Sequence, residues 1–82
     1  MRSILIIACD FYLAGIYGRK FEHDGWDVEI AESIADGKTM IAKMQPDVVL
    51  LEKDCTKDIV DLVRELKGLP TMQSAKLVIL AK

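Results

Sequence analysis

Short apolar runs alternate with longer helical patterns along the chain. Three runs are apolar at consecutive positions, which is typical of strands covered on both faces of a sheet: residues 4–8, 48–51 and 77–80. Residues 26–31 instead alternate apolar and polar side chains, which predicts a half-exposed strand near a sheet edge. The pattern therefore predicts four strands.

Apolar residues at helical spacing fill the intervals between these strands. They predict one helix from Phe11 to about His23, a second from residue 34 to about residue 45, and a third between Thr56 and Gly68. The expected N-caps are Asp10, Ser33 and Thr56 or one of its neighbours. The βαβαβαβ order favours right-handed crossovers and a parallel sheet, so residues 1–82 are predicted to form one α/β domain with four strands and three helices.

Composition narrows the partners of such a domain. The chain has 82 residues, of which 51% are hydrophobic, and its 11 basic and 13 acidic side chains give a net charge of −2. This balance excludes the basic footprint of a nucleic-acid-binding protein, and no apolar run approaches the roughly 18 residues of a membrane span. Because a domain this small buries only about 60% of its unfolded surface, we expect an oligomer to cover part of the apolar excess.

Three segments resemble the receiver domain of bacterial response regulators. They are the run Ile4-Leu5-Ile6-Ile7, residues 25–33 with the sequence GWDVEIAES, and residues 45–52 with the sequence QPDVVLLE. The resemblance extends over the whole chain and is most specific from Gly25 to Glu52. It implies a flavodoxin-like, doubly wound parallel sheet with the functional site at the carboxyl ends of the strands. Because that family has a five-stranded sheet, the chain resembles a truncated receiver.

The resemblance also implies where the chemistry of a working receiver would lie. Such a domain needs an acid pair after the first strand to hold magnesium, and an aspartate at the end of the third strand as phosphoryl acceptor. The positions of the acid pair fall on Ala8 and Cys9. Asp10 would enter the site only if the register of the first strand shifted by one residue, which would turn every side chain of that strand to the opposite face of the sheet. The acceptor position is Glu52, the hydroxyl position is Ala81, and the lysine after a fifth strand has no counterpart.

These substitutions predict a receiver that neither binds magnesium nor accepts a phosphoryl group. The extra methylene of Glu52 moves its carboxylate by more than about 1 Å, and in-line transfer tolerates little misplacement. Two interpretations of Glu52 remain: a fixed charge that stands in for the phosphorylated state, or a solvated carboxylate paired with Lys53 or Lys82. We favour the second because Ala81 has no hydroxyl with which to respond to a charge. We expect no catalytic residue, no metal and no cofactor.

Cys9 and Cys55 both fall near the carboxyl ends of strands that should be neighbours. A redox pair is one interpretation, and it requires Cα atoms within about 7 Å of each other. Two ordinary reduced thiols are the other interpretation, which we favour because the cysteines match neither a disulfide framework nor a zinc spacing. Reduced thiols are typical of the cytosol, so we expect a cytoplasmic protein.

Three hypotheses for the function follow. We favour a non-enzymatic, phosphorylation-independent interaction module related to two-component signalling, with a homodimer expected and a heterologous signalling protein as a further candidate partner. Without a fifth strand the fourth becomes an apolar edge, so the expected dimer interface contains Leu77, Val78, Ile79 and Leu80. The second hypothesis is an N-terminal fragment of a longer receiver. The third is an enzyme or small-ligand-binding domain on the same fold, although no nucleophile, base or phosphate loop supports it.

Overall fold

The predicted element order is confirmed by a computed structural model of the chain, which describes residues 2–81. In this part of the chain four parallel strands form one sheet in the order β2-β1-β3-β4. The strands are β1 (Ser3–Ile7), β2 (Asp27–Ala31), β3 (Val48–Glu52) and β4 (Lys76–Leu80). The helices are α1 (Phe11–His23), α2 (Ile34–Met44) and α3 (Ile59–Lys67). The architecture is therefore the expected flavodoxin-like α/β fold.

Side-chain caps fix the starts of the helices. The Asp10 carboxylate accepts hydrogen bonds from the amides of the second and third residues of α1. The Ser33 hydroxyl accepts the amide of Asp36, the third residue of α2. The cap of α3 is Asp58 rather than Thr56, because the Thr56 hydroxyl accepts the Asp58 amide and the Asp58 carboxylate accepts the amide of Asp61. A side-chain hydrogen bond with Asp58, followed by the negative charge of Asp58, raises the pKa of the exposed Asp61 carboxyl.

Two short 3₁₀ turns connect the longer elements. One, Lys53–Cys55, follows β3 directly, and the other, Pro70–Met72, lies between α3 and β4. Gly68 ends α3 with a φ of −79°, so it does not take the left-handed conformation that is common for a glycine after a helix. Neither turn has a hydrophobic period that a sequence pattern could reveal, because each is only three residues long.

Helices cover the sheet on both faces. Helices α2 and α3 cover one face, where the largest cluster of buried side chains includes Leu5, Ile41, Leu51 and Leu66. Helix α1 covers part of the other face, over a smaller cluster that includes Ile4, Ile6, Ala14 and Leu50. The close approach of α2 depends on Gly37, since a Cβ atom there would lie 2.6 Å from Cδ1 of Ile7. The inner strands β1 and β3 are consequently buried, whereas both edge strands keep exposed apolar side chains.

Candidate functional site

The carboxyl ends of β1 and β3 bring several predicted site positions together. Ile7 pairs with Leu51 in the parallel register, so residues 8–10 continue beside Glu52, the last residue of β3. On the other side Glu52 pairs with Leu80, and Ala81 follows at the same end of the sheet. This edge is where flavodoxin-like folds carry their functional groups, because parallel strands and helix N-termini converge there.

Glu52 is buried at this end of the sheet, with a side chain that is only 2% exposed. Its Oε1 atom accepts a hydrogen bond of 2.9 Å from the amide of Cys9 and one of 3.2 Å from the amide of Asp10. The prediction of a solvated carboxylate is therefore wrong. The physical reason is that the chain turns from β1 into α1 at these residues, and a carboxylate that accepts their amides offsets the cost of its own burial.

Two lysines, Lys53 and Lys82, were expected beside Glu52. Lys53 is exposed at the start of the 3₁₀ turn, and Lys82 lies outside the described residues. The Glu52 carboxylate instead accepts the backbone amides of Cys9 and Asp10, in the loop after the neighbouring strand β1. Glu52 thus ties the end of β3 to the end of β1.

The Asp10 side chain does not lie where a one-residue shift in the register of β1 would put it. Its Oδ1 atom accepts the amides of Tyr12 at 3.0 Å and Leu13 at 3.2 Å, so its carboxylate caps α1. Ala8, which the resemblance predicts at the first acid-pair position, is buried, and its amide donates to the carbonyl of Ala31.

Cys9 and Cys55 form a disulfide in the structure, with their Cα atoms 5.5 Å apart. The expectation of two reduced thiols is therefore wrong. The 3₁₀ turn after β3 folds Cys55 back over the strand end, where it meets the loop after β1 despite a sequence separation of 46 residues. Sulfur Sγ of Cys55 also lies 3.6 Å from Oε1 of Glu52, so the disulfide and the buried carboxylate form one cluster.

The residues of this cluster do not fit the magnesium ion that the resemblance implies. Magnesium requires several oxygen ligands in near-octahedral geometry. Here Ala8 offers a methyl group, Cys9 is bonded to Cys55, Asp10 caps a helix and Glu52 is buried against amides. Among residues 2–81, no three histidine, cysteine, aspartate or glutamate side chains come together as a group that could hold a metal ion. We derive no chemical step through a metal at this site.

Comparison with known proteins identifies the fold. A receiver domain (CheY-like) from Methylobacillus flagellatus superposes with a TM-score of 0.89 at 20% identity, over 99% of this chain and 70% of that one. The chemotaxis response regulator CheY4 of Vibrio cholerae gives 0.86 at 12% identity, over 96% and 67%. The MaeR response regulator bound to beryllium trifluoride gives 0.83 at 26% identity, over 99% and 67%. The chain has the fold of a response regulator receiver domain.

Sequence comparison adds a regulatory relative to this receiver fold. A stretch of 52 residues, 63% of the chain, is 38% identical to an uncharacterized transcriptional regulatory protein, YvcP, of Bacillus subtilis (strain 168). That stretch spans only 22% of the B. subtilis protein. No family model matches the chain. The chain likewise spans about two thirds of the receiver structures it matches.

Strand β4 gives this receiver fold an exposed apolar edge. Val78 is 37% exposed and Ile79 is 40% exposed, while Leu77 and Leu80 are half-buried. A groove of about 330 Å³ lies on the α1 face of the sheet, between Val78 and the aromatic pair Phe21 and Trp26. A second groove, of about 470 Å³, lies on the α3 face and is lined by Lys53, Ile59, Val60, Val63, Ile79 and Ala81. Of the four residues predicted at a dimer interface, Val78 therefore lines one groove and Ile79 lines the other.

Within residues 2–81, no helix combines the length and the apolarity needed to cross a bilayer.

Proposed function

We propose that this chain is a phosphorylation-independent, receiver-like interaction module of two-component signalling. The observation that carries the proposal is the position of Glu52, whose carboxylate is buried and accepts two amides of the β1–α1 loop. A phosphoryl acceptor must meet its donor in line, and misplacement by about 1 Å can cost roughly 100-fold in rate. A carboxylate enclosed in this way is a poor nucleophile for an external phosphodonor.

The other positions of the site support the same proposal. The disulfide lies against Glu52, since Sγ of Cys55 is 3.6 Å from Oε1 of this buried carboxylate. Ala81, at the position of the switch hydroxyl, has only a methyl side chain and offers no donor to a phosphoryl oxygen. The module therefore acts through its surface and is not an enzyme. A cytoplasmic signalling protein is the class of partner that fits a receiver fold.

We also propose that the chain forms a homodimer through β4. An exposed edge strand presents unpaired amides and carbonyls, and an apolar one pairs readily with another chain. Two copies of β4 related by a two-fold axis would run antiparallel and join both sheets into one. Covering on the order of 500 Å² of apolar surface per protomer would contribute about 12 kcal/mol before association costs.

One observation favours a second candidate function for the same edge. About a third of the length of the matched receiver structures lies outside the part that this chain covers. In a longer receiver domain, additional residues would cover β4 within one chain, and the chain would then be the N-terminal part of that domain. Its closed site at Glu52 would remain, so phosphorylation independence holds for both candidates.

Incubation with acetyl phosphate and Mg²⁺, followed by intact-mass measurement, tests phosphorylation independence. We expect no gain of a phosphoryl group, and Glu52→Asp should also fail because Ala8 and Cys9 supply no magnesium ligands. A phosphorylatable receiver domain treated in parallel shows that the donor is active. A stoichiometric mass gain that disappears in Glu52→Gln would overturn the proposal.

A further inference from the structure

The Cys9–Cys55 pair enters the proposed function only as a neighbour of Glu52, and its surroundings differ from those of a buried structural disulfide. Cys9 lies exposed in the loop between β1 and α1, and Cys55 is half-buried at the end of the 3₁₀ turn after β3. Thiol–disulfide exchange requires that an attacking thiolate reaches one sulfur of the bond. The exposed side of Cys9 provides that access.

We propose that Cys9 and Cys55 are a reversible redox site, which exchanges with low-molecular-weight thiols and disulfides of the glutathione class. The inference is independent of the proposed function, because it depends only on this pair and its neighbours. Both cysteines lie in loops that leave the ends of neighbouring strands, and the strands hold their Cα atoms 5.5 Å apart. That separation lies within the range over which disulfides form without backbone movement.

Reduction proceeds in two exchanges. A glutathione thiolate attacks Sγ of Cys9, the bond between Cys9 and Cys55 breaks, and Cys55 leaves as a thiolate that takes up a proton. A second glutathione thiolate attacks the glutathione sulfur of the mixed disulfide and releases Cys9, which is protonated in turn, together with glutathione disulfide. The protein gains two electrons and two protons, and oxidation by glutathione disulfide follows the same steps in reverse.

The site is built to hold its shape in both states. Oε1 of Glu52 lies 3.6 Å from Sγ of Cys55, so the reduced Cys55 thiol can donate a hydrogen bond to this carboxylate. The same oxygen accepts the amide of Cys9, which keeps the β1–α1 loop in place when the sulfur bond opens. Reduction therefore releases the 3₁₀ turn without dismantling the sheet.

The released turn adjoins an open surface. Lys53, the first residue of the turn, lines the groove of about 470 Å³ together with Val60 and Ile79. In the oxidised form the turn is joined covalently to the β1–α1 loop, and in the reduced form the loop keeps its hydrogen bond to Glu52, the residue before the turn. The redox state of the pair therefore sets how firmly one wall of this groove is held.

A titration in glutathione buffers tests the proposal. The 82-residue chain is equilibrated without oxygen at a series of glutathione ratios, quenched in acid, treated with N-ethylmaleimide and weighed intact. We expect a single transition from untagged to doubly tagged chain. The reduced fraction should rise from about one tenth to nine tenths over an approximately 100-fold change in [GSH]²/[GSSG]. Cys9→Ser and Cys55→Ser should each carry one tag or one glutathione and show no intramolecular bond.

Three results would overturn the redox site. These are resistance to reduction across the whole series, accumulation of a glutathione adduct of the chain, and cross-linking to a second chain. Amide spectra of the reduced chain provide a second check: we expect shifts confined to residues near 8–10 and 52–56, with the rest of the sheet unchanged. Loss of the folded spectrum on reduction would make the disulfide structural and would contradict the proposal.

Discussion

The carboxyl ends of β1 and β3 differ sharply from the outer edge of β4. At the strand ends, a disulfide joins two loops, and the buried carboxylate of Glu52 accepts the amides of Cys9 and Asp10. At the edge, Val78 and Ile79 point to opposite faces of the sheet and both stay partly exposed between two grooves. The strand ends, where a receiver fold carries its functional groups, hold a buried carboxylate, whereas the β4 edge presents exposed apolar side chains.

This difference is the basis for our proposal that the β4 edge, rather than the strand ends, mediates the function. At the strand ends the Glu52 carboxylate, which we propose corresponds to the phosphoryl acceptor, is buried. The open edge has the opposite properties, since apolar side chains and unpaired backbone groups there gain from contact with another surface. Changes at the edge should therefore have larger effects on assembly than changes at the closed end.

The largest expected effect belongs to Val78→Lys. A lysine on β4 places a charge in the proposed interface, so we expect a monomer that is largely unfolded, because a domain of this size has only about 5 kcal/mol of its own stability. Sedimentation and circular dichroism measure both changes. Ile30→Lys is a matched control, since Ile30 lies on the opposite edge strand and is equally exposed, at 37%.

The control should remain folded and dimeric. If Val78→Lys also forms a folded dimer, β4 is not the interface. If Ile30→Lys and Val78→Lys lose the dimer to the same extent, the effect is one of general solubility and the two edges do not differ in the proposed way.

A smaller effect is expected at the closed end, from Glu52→Ala. The amides of Cys9 and Asp10 lose their acceptor, which should lower the free energy of unfolding by about 1–3 kcal/mol. Glu52→Gln keeps an acceptor oxygen and should lose less. Urea unfolding measures both variants against Glu32→Ala, an exposed glutamate just after β2.

Neither substitution of Glu52 should change the oligomeric state. Conversion of the dimer to a monomer in Glu52→Gln would instead favour the interpretation of this residue as a fixed charge that mimics phosphorylation. An unfolding free energy of Glu52→Ala equal to that of Glu32→Ala would show that the buried hydrogen bonds contribute nothing.

The sequence predicts the strands and helices well because their signals are local. The apolar run before Cys9 and the run before Glu52 mark β1 and β3, and the cap at Asp10 marks the start of α1 within one residue. Each of these signals needs only a few neighbouring residues, and the parallel order follows from the helical connections.

The closed end could not be predicted from the sequence in the same way. The burial of Glu52 depends on amides that are 42 and 43 residues away in the chain, and the disulfide depends on a three-residue turn that brings Cys55 back over β3. Only the strand register places these groups together, and register is a property of the folded sheet. The positions of Cys9 and Cys55 after neighbouring strands were the one available signal.

Sedimentation velocity of the 82-residue chain, with and without acetyl phosphate and Mg²⁺, tests the contrast between a closed site and an open edge most directly. We predict a folded dimer at micromolar concentration whose sedimentation coefficient is the same in both conditions, because we propose that association depends on β4 and that the buried Glu52 accepts no phosphoryl group. A well-folded monomer would contradict the role of the edge, and a dimer that forms or dissociates on addition of the phosphodonor would contradict the closure of the site.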